Sequence, residues 1–157
     1  MPKIHLTCFI QAPVERVMAL SRSLSLRKKT LKPGAEQILS SAGDAQLKSG
    51  ETITLRARHF GKTREITARI TESPESMAFT EEQVRGDLRS FRHEYHFKPA
   101  DNGTILIDVV EYEGPRDLLG ALASRFFLKS YLRQMMEKKN TLLRQYAESD
   151  KWQAVLS

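Results

Sequence analysis

The feature that most constrains this chain is a long amphipathic segment, residues 117 to 148, which contains no proline. Apolar side chains recur in it at the three-to-four-residue spacing of a single helix face. This stripe consists of Leu118, Ala121, Leu122, Leu128, Leu132, Met135, Leu142 and Tyr146, broadened by Phe126, Phe127, Tyr131 and Met136. About 32 residues at about 1.5 Å each predict a rod of roughly 48 Å, and a compact domain of this length is roughly 40 Å across. The helix must therefore cross the whole domain.

The chain ahead of that helix is predicted to begin with a strand and two short helices. Residues 3 to 10 alternate apolar and polar side chains, with Ile4 and Cys8 on the apolar face, as is typical of a half-buried strand. Pro13 suits the first position of a helix, because its missing N–H would lack a partner there in any case. We therefore predict one short helix from about Pro13 and a second over residues 24 to 30.

The middle of the chain predicts successive antiparallel strands. Period-two alternation marks strands in GETITLRARHF and REITARITE, and Gly61 supplies the turn between them. Further strands are predicted in MAFTEEQV, FRHEYHF and GTILIDVVEYE, and Gly114-Pro115 ends the last of them. About six strands, joined mostly by hairpins, thus follow the two short helices and precede the terminal helix.

The motif HEYH, residues 93 to 96, is one residue shorter than the HExxH signature of zinc peptidases. That signature needs its two histidines four residues apart on a helix. In a strand, successive side chains point to opposite sides, so His93 and His96 face apart. We therefore predict no metal site here, and no cofactor.

Asn102-Gly103 is the strongest hairpin signal in the chain, because both residues tolerate the positive φ of a type I′ turn. Centring the turn there predicts the pairs Phe97–Asp108, Tyr95–Val110 and His93–Tyr112. One face of the hairpin would then carry Phe91, His93, Tyr95, Phe97, Leu106, Asp108, Val110 and Tyr112. The other face would carry Ile105, Ile107 and Val109, which requires either a cover, such as a second subunit, or a different register.

Polar groups on this otherwise apolar face are the first candidates for a site. Four of them share it: His93, Tyr95, Asp108 and Tyr112. Each lost hydrogen bond would cost on the order of 1 to 3 kcal/mol in a dry interior, so they must pair with one another, hold water or contact a ligand. For His93, structural hydrogen bonding, ligand contact and general acid-base chemistry all remain open. Glu81, on the preceding strand, could face the same space.

Residues 22 to 32 form the most basic segment of the chain, with five lysines and arginines and no acid. The simplest interpretation is a solvent-exposed face or loop, because charge runs are usually solvated. The alternative is a patch that contacts an anionic head group, a phosphate-bearing ligand or a membrane surface.

Composition limits the class of protein. The 157 residues carry 25 lysines and arginines against 19 acids, and the resulting charge of +6 favours anionic partners without naming one. Cys8 is the only cysteine, which excludes an intrachain disulfide and four-cysteine metal sites. No apolar run suits a signal peptide or a membrane span. We expect a soluble, cytoplasmic protein with one domain over residues 1 to 157.

Nearly the whole chain resembles the START-like, helix-grip superfamily (SRPBCC), in the branch related to polyketide cyclase and dehydrase proteins. The resemblance is carried by IQAPVERVMALSRSL, GETITLRARHFG, ITESPESMAFTEEQVRGDLRSFRHEYHFKP, GTILIDVVEYEGP and the terminal amphipathic helix. It implies an α+β fold in which a seven-stranded antiparallel sheet wraps around the C-terminal helix, with a hydrophobic tunnel between them. The tunnel positions it implies are Leu55, Ala57, His59, Phe79, Phe91, His93, Tyr95, Asp108, Val110, Tyr112, Leu119, Leu122, Ala123, Phe126 and Phe127.

The resemblance leaves three functions open, because one scaffold serves many activities. The first is binding, transport or sensing of a small hydrophobic or aromatic molecule in the tunnel. The second is a cyclase or dehydratase-like enzyme in the same tunnel, for which His93 and Asp108 are the best catalytic candidates. The third, a nucleic-acid or anionic-membrane binder, would use residues 22 to 32 and the basic side chains of the long helix, but no surface aromatics interleave with that cluster. We expect neither nucleic acid nor stable membrane insertion, and a homodimer is possible.

Overall fold

The computed structural model describes residues 2–40, 46–59, 62–115 and 122–156. In chain order the elements are β1 (Lys3–Ile10), α1 (Val14–Ser21), α2 (Leu24–Thr30), β2 (Glu36–Ser40), β3 (Thr52–His59), β4 (Lys62–Ser73), a 3₁₀ turn (Pro74–Ser76), β5 (Ala78–Gly86), β6 (Leu88–Ala100), β7 (Gly103–Pro115), α3 (Leu122–Ala147) and α4 (Trp152–Leu156). The two short helices and the long terminal helix stand where the sequence predicts them. The predicted start of the long helix near Asp117 lies outside the described residues.

The seven strands form one antiparallel sheet in the order β1-β7-β6-β5-β4-β3-β2. Strands β2 to β7 pair with their neighbours in sequence, and β1 completes the sheet by pairing with β7. The long helix α3 packs against β1, α1 and α2. The helix-grip architecture that the resemblance implies is confirmed.

The position of α2 is fixed by a cap. The Ser23 hydroxyl accepts a hydrogen bond from the Leu26 N–H at 3.2 Å, which satisfies one of the free N–H groups at the start of the helix. Leu24 and Leu26 are buried, and so is Arg27, at 8% exposure. The cap therefore fixes the start of a helix that places the charged side chain of Arg27 in the interior.

The register predicted for the β6–β7 hairpin is wrong by two residues. Tyr95 lies opposite Asp108 and His93 opposite Val110, and the turn is formed by residues 101 and 102. The residues with positive φ in the described ranges are Gly34, Gly50 and Met77, so the turn is not of type I′. Because side chains alternate with a period of two, a shift by two leaves every residue on its predicted face.

Gly103 is needed for a close approach rather than for its own φ. A Cβ atom built there would overlap the carbonyl oxygen of Ile10 and come within 3.0 Å of the Cα atom of Gln11. Both contacts are with backbone, which cannot move aside as a flexible side chain can. The glycine therefore allows the end of β1 to lie close beside the start of β7.

The buried face of α3 is turned by about one residue from the predicted stripe. Its members are Leu128, Leu132, Met136, Asn140, Leu143 and Ala147. Met135, which the prediction placed on this face, is 40% exposed. The observed buried face includes a polar residue, Asn140. A prediction that follows apolar residues alone therefore departs from this face. Within the described ranges, no helix is long and apolar enough to cross a membrane.

The outer face of β7 carries the three apolar residues that the prediction left uncovered. Ile105, Ile107 and Val109 are each only partly buried. In the sheet they lie between residues of β1 and β6 that include Phe9 and Lys98. Neighbouring side chains on the same face account for this partial cover, and the homodimer stays a prediction.

Replacing Gly103 by Ala tests the close approach of β1 and β7. We expect the free energy of unfolding to fall by about 2 kcal/mol, in the range typical of overpacked interiors, as measured by urea denaturation. Asn102→Ala is the matched control, since this exposed neighbour has no positive φ and should change stability by less than about 0.5 kcal/mol. Equal losses in the two variants would contradict the explanation.

Candidate functional site

A cavity of about 200 Å³ lies between α3, α2 and the concave face of the sheet. Most of its wall is apolar. The apolar lining includes Ile53, Leu55, Ala57, Ile66, Ala68, Leu88, Phe91, Val110, Leu128, Leu132 and Met136. Polar residues also line it. Five of them, which we call the polar wall, are Arg27, Glu81, His93, Tyr95 and Lys139, and the others are Thr30, Lys32, Glu36, Arg56, Arg64, Asp87 and Lys138.

A buried ion pair joins α2 to β5 in this polar wall. The Arg27 guanidinium donates to the Glu81 carboxylate, and both side chains are 8% exposed. Burial alone would raise the pKa of Glu81, but the charge and hydrogen bond of Arg27, together with the charge of Lys139, outweigh it and lower this pKa to about 2, below its ordinary 4.5. The same attraction, set against burial, raises the pKa of Arg27. Both groups are therefore charged inside the protein.

Lys139 brings a third charge to the wall from α3. Its ammonium group donates to the Tyr95 hydroxyl and lies 4.1 Å from the centre of the Tyr95 ring. Burial and the nearby Arg27 lower the pKa of Lys139 to about 8, although Glu81 and Asp108 oppose the shift. Burial, followed by the Glu81 charge, holds the pKa of Tyr95 well above its ordinary value, so the phenol stays protonated.

His93 and Asp108 form a hydrogen-bonded pair beside that lysine. His93 Nε2 lies 2.8 Å from Asp108 Oδ1, and Asn140 Nδ2 donates to Asp108 Oδ2 at 2.7 Å. Burial opposes ionisation of Asp108, but the hydrogen bond from His93 helps to lower its pKa overall. Burial lowers the pKa of His93, which is therefore neutral at pH 7. Because the carboxylate accepts, the proton sits on Nε2 and leaves the Nδ1 lone pair free to act as a base.

These polar residues divide the core into two apolar clusters. On β7, Leu106 belongs to one cluster and Val110 to the other, and Asp108 stands between them. On α3, Asn140 likewise separates Met136 from Leu143. A polar layer thus runs across the interior, and the cavity lies along it.

The layer has hydrogen-bonding capacity left over. With Lys139 protonated, two positive groups face two negative ones, Glu81 and Asp108, so the layer is close to neutral. Arg27 Nε is buried and has no hydrogen-bond partner among the described residues. A buried, unused donor is costly, and this nitrogen is buried even from the cavity, so the guanidinium would have to shift before a bound molecule could reach it.

The predicted site residues fall into four groups. Those that line the cavity are Leu55, Ala57, Glu81, Phe91, His93, Tyr95 and Val110. Those that are buried behind its wall are Phe79, Asp108 and Tyr112. Phe126 and Phe127 are 72% and 56% exposed and lie off the wall. Leu119 and the side chains of His59, Leu122 and Ala123 lie outside the described part of the chain.

Sequence reasoning missed Arg27, Lys139 and Asn140. Arg27 was assigned to a solvent-exposed basic run, and for this residue that assignment is wrong. Arg27 lies three residues after Leu24, so the two side chains share one face of the helix. This spacing was the sequence signal for an inward position of Arg27. Lys139 and Asn140 interrupt the apolar face of α3 four residues after Met135 and Met136, which was a similar signal. Arg27 and Lys139 consequently do not belong to a surface patch for nucleic acid or membrane.

Replacing Glu81 by Gln tests the buried ion pair. The amide keeps the shape but leaves the Arg27 charge without its counter-ion, so we expect the free energy of unfolding to fall by about 3 to 5 kcal/mol in urea denaturation. The matched control is Glu65→Gln, which breaks the exposed pair of Arg56 and Glu65, with side chains 43% and 51% exposed. That loss should stay below about 1 kcal/mol.

The same pair makes a pH prediction. Because the folded pKa of Glu81 is about 2 and its ordinary value is 4.5, the stabilisation is complete above pH 4.5 and is lost as the pH falls towards 2. The difference between the wild type and Glu81→Gln should therefore shrink below pH 4.5. A difference that is constant from pH 7 to pH 3 would contradict an ionised Glu81.

Comparison with known proteins agrees with this geometry. The chain matches the family described as "Polyketide cyclase / dehydrase and lipid transport" over residues 10–139. No curated protein matches it significantly in sequence.

Several solved structures share the fold. The di-domain ARO/CYC StfQ from the steffimycin biosynthetic pathway has a TM-score of 0.73 at 12% identity, covering 93% of this chain and 50% of that one. Ginseng major latex-like protein 151 from Panax ginseng has a TM-score of 0.66 at 13% identity, covering 94% and 98%. TTHA0849 from Thermus thermophilus has a TM-score of 0.63 at 20% identity, covering 99% and 100%. The family match spans most of the sequence, and the chain belongs to the polyketide cyclase/dehydrase and lipid transport family.

Proposed function

We propose that this protein binds a small apolar or aromatic molecule in the cavity, with the polar end of that molecule against the polar wall. The observation that carries the proposal is the cavity itself, an apolar space with a few convergent polar groups at one part of its wall. Ligand sites in proteins typically have this composition, in which apolar walls supply affinity and a few polar groups set orientation.

The dimensions favour a small ligand. A cavity of about 200 Å³ is below the range of roughly 300 to 1,000 Å³ that is usual for drug-sized ligands. One or two fused rings suit this space better than a long acyl chain. Leu55, Phe91 and Val110 would contact the body of such a ligand.

The orienting groups would be Arg27, His93 and Lys139. Arg27 lines the cavity and offers a guanidinium N–H, Lys139 offers a donor, and His93 offers an acceptor at Nδ1. A phenol, an enol or a carbonyl oxygen would suit this set. Asp108 and Tyr112 would support the wall from behind without touching the ligand.

The family and the relatives support the same class of function. The family description joins cyclisation and dehydration of polyketides with lipid transport, and all of these involve largely apolar molecules. StfQ is an ARO/CYC protein by its name.

A second candidate is an enzyme in the same cavity, in which His93 acts as a general base. The observation in its favour is the 2.8 Å bond from His93 to Asp108, which fixes the tautomer as a base requires. Positioned proton transfer of this kind typically contributes about 10² to 10⁴ in rate. Removal of a proton next to a ketone carbonyl is the simplest reaction that this pair could catalyse.

Filling the cavity tests the binding function. Ala57→Phe places a ring in the space between sheet and helix, so the affinity for 2-naphthol, measured by fluorescence titration, should fall at least about tenfold. Ala154→Phe, on the exposed face of α4, is the matched control and should bind as the wild type does. Equal affinities in all three proteins would place the binding site elsewhere and contradict the proposal.

Replacing His93 by Ala separates the two candidates. The readout is deuterium exchange at the α-carbons of 2-tetralone, followed by NMR in D₂O. A binding protein should lose a modest part of its affinity in His93→Ala and show no exchange that depends on His93. An enzyme should accelerate exchange and lose about 10² of that rate in His93→Ala while still binding the ketone. His96→Ala, on the outer face of the same strand, is the control and should keep the wild-type rate.

A further inference from the structure

Lys139 differs from an ordinary surface lysine in its position. It projects from the middle of α3 into the cavity wall, where its Nζ contacts the hydroxyl of Tyr95, a residue that is 1% exposed. A compact ammonium group is strongly hydrated in water, and a lysine held this way loses much of that hydration. Its hydrogen-bond partner is the Tyr95 hydroxyl rather than a carboxylate, although its charge helps to balance those of Glu81 and Asp108.

The charged and titratable groups around Lys139 come from four other elements. They are Arg27 on α2, Glu81 on β5, His93 and Tyr95 on β6, and Asp108 on β7. Arg27 disfavours a second positive charge, while the two carboxylates favour it. The balance of burial and these charges lowers the pKa of Lys139 to about 8, from 10.5. At pH 7 the neutral amine is then roughly 300 times more abundant than in an ordinary lysine.

We propose that Lys139 is a nucleophile that forms a Schiff base with the carbonyl group of an apolar aldehyde or ketone bound in the cavity. The proposal rests on the proposed function, because the cavity must first admit the carbonyl compound. It goes further in naming the reactive class of ligand and the bond that forms. Desolvated lysines beside another cationic group are known to react in this way.

The step needs no oxidant or reductant. The lone pair of Nζ attacks the carbonyl carbon, the C=O π electrons move to oxygen, and proton transfer from nitrogen to oxygen gives a neutral carbinolamine. A second proton then converts the hydroxyl into water, which leaves as the C=N bond forms. One water is released and the proton count is unchanged once the iminium loses its proton.

The neighbouring groups fit these transfers. The Arg27 guanidinium, which lines the cavity, can donate to the developing oxygen. The free Nδ1 of His93 can take the proton from nitrogen. Tyr95, hydrogen-bonded to Nζ, can carry a proton between nitrogen and oxygen.

Reductive trapping tests the proposal. The full-length protein is incubated at pH 7 with 2-naphthaldehyde, which has no α-hydrogen, and sodium cyanoborohydride, and the modified residue is located by peptide mass spectrometry. We expect one main adduct, on Lys139, at least about tenfold more abundant than on any other lysine. Lys139→Arg keeps a positive charge but should lose this adduct, and Lys139→Met should lose it as well. Lys129→Met, at an exposed position on α3, should leave it unchanged.

A parallel binding measurement separates the two proposals. The aldehyde without reductant is titrated against bound 2-naphthol in each variant, and circular dichroism checks that each variant is folded. Reversible displacement without a Lys139 adduct would overturn the Schiff base and leave the binding function standing. Adducts spread evenly over surface lysines would also overturn it. Failure of the aldehyde to displace bound 2-naphthol would overturn the Schiff base alone, whereas failure of 2-naphthol itself to bind would overturn both proposals.

Discussion

The interior of this protein holds an ion pair, Arg27 with Glu81, that is almost completely removed from water. Desolvation of two such charges costs several kcal/mol per ion, and mutual attraction offsets that cost only if the geometry is good and further hydrogen bonds are made. Tyr95 on β6 and Lys139 on α3 help to stabilise the two charges. His93, Asp108 and Asn140 extend the polar layer over β6, β7 and α3. Apolar side chains cannot pack around this layer as tightly as they would in a purely apolar core. A cavity is therefore left along it.

The fold was largely predictable because it rests on local patterns. Alternation along the strands, a proline at a helix start and an uninterrupted apolar stripe are properties of short segments, and each leads to the observed element. The hairpin register was not predictable from Asn102-Gly103. The glycine is required by the close approach of Ile10 on β1, a strand that is distant in sequence but adjacent in the sheet. That contact depends on the order of strands in the sheet, which no short segment specifies.

The site was predictable only in part, for a related reason. The alternation of side chains along the strands placed Glu81, His93 and Asp108 on the concave face. A register shift of two residues does not change the face on which a side chain lies. Arg27 and Lys139 were out of reach of the same reasoning, because a charged residue on a helix is normally solvated. The inward position of Arg27 and Lys139 is favourable only because other elements of the fold bring buried partners to them. The polar side chains that complete a site tend to be those that break the local pattern.

The chemistry of the cavity follows from the same layer. A neutral histidine held by a carboxylate, a lysine of lowered pKa and an arginine with an unused donor stand together beside apolar walls. The most direct test is a crystal structure of the protein with 2-naphthol. The account predicts the rings against Leu55 and Phe91, with the hydroxyl at hydrogen-bond distance, about 3 Å, from Arg27, His93 or Lys139. A cavity filled by the protein's own side chains, with naphthol bound only at the surface, would contradict it.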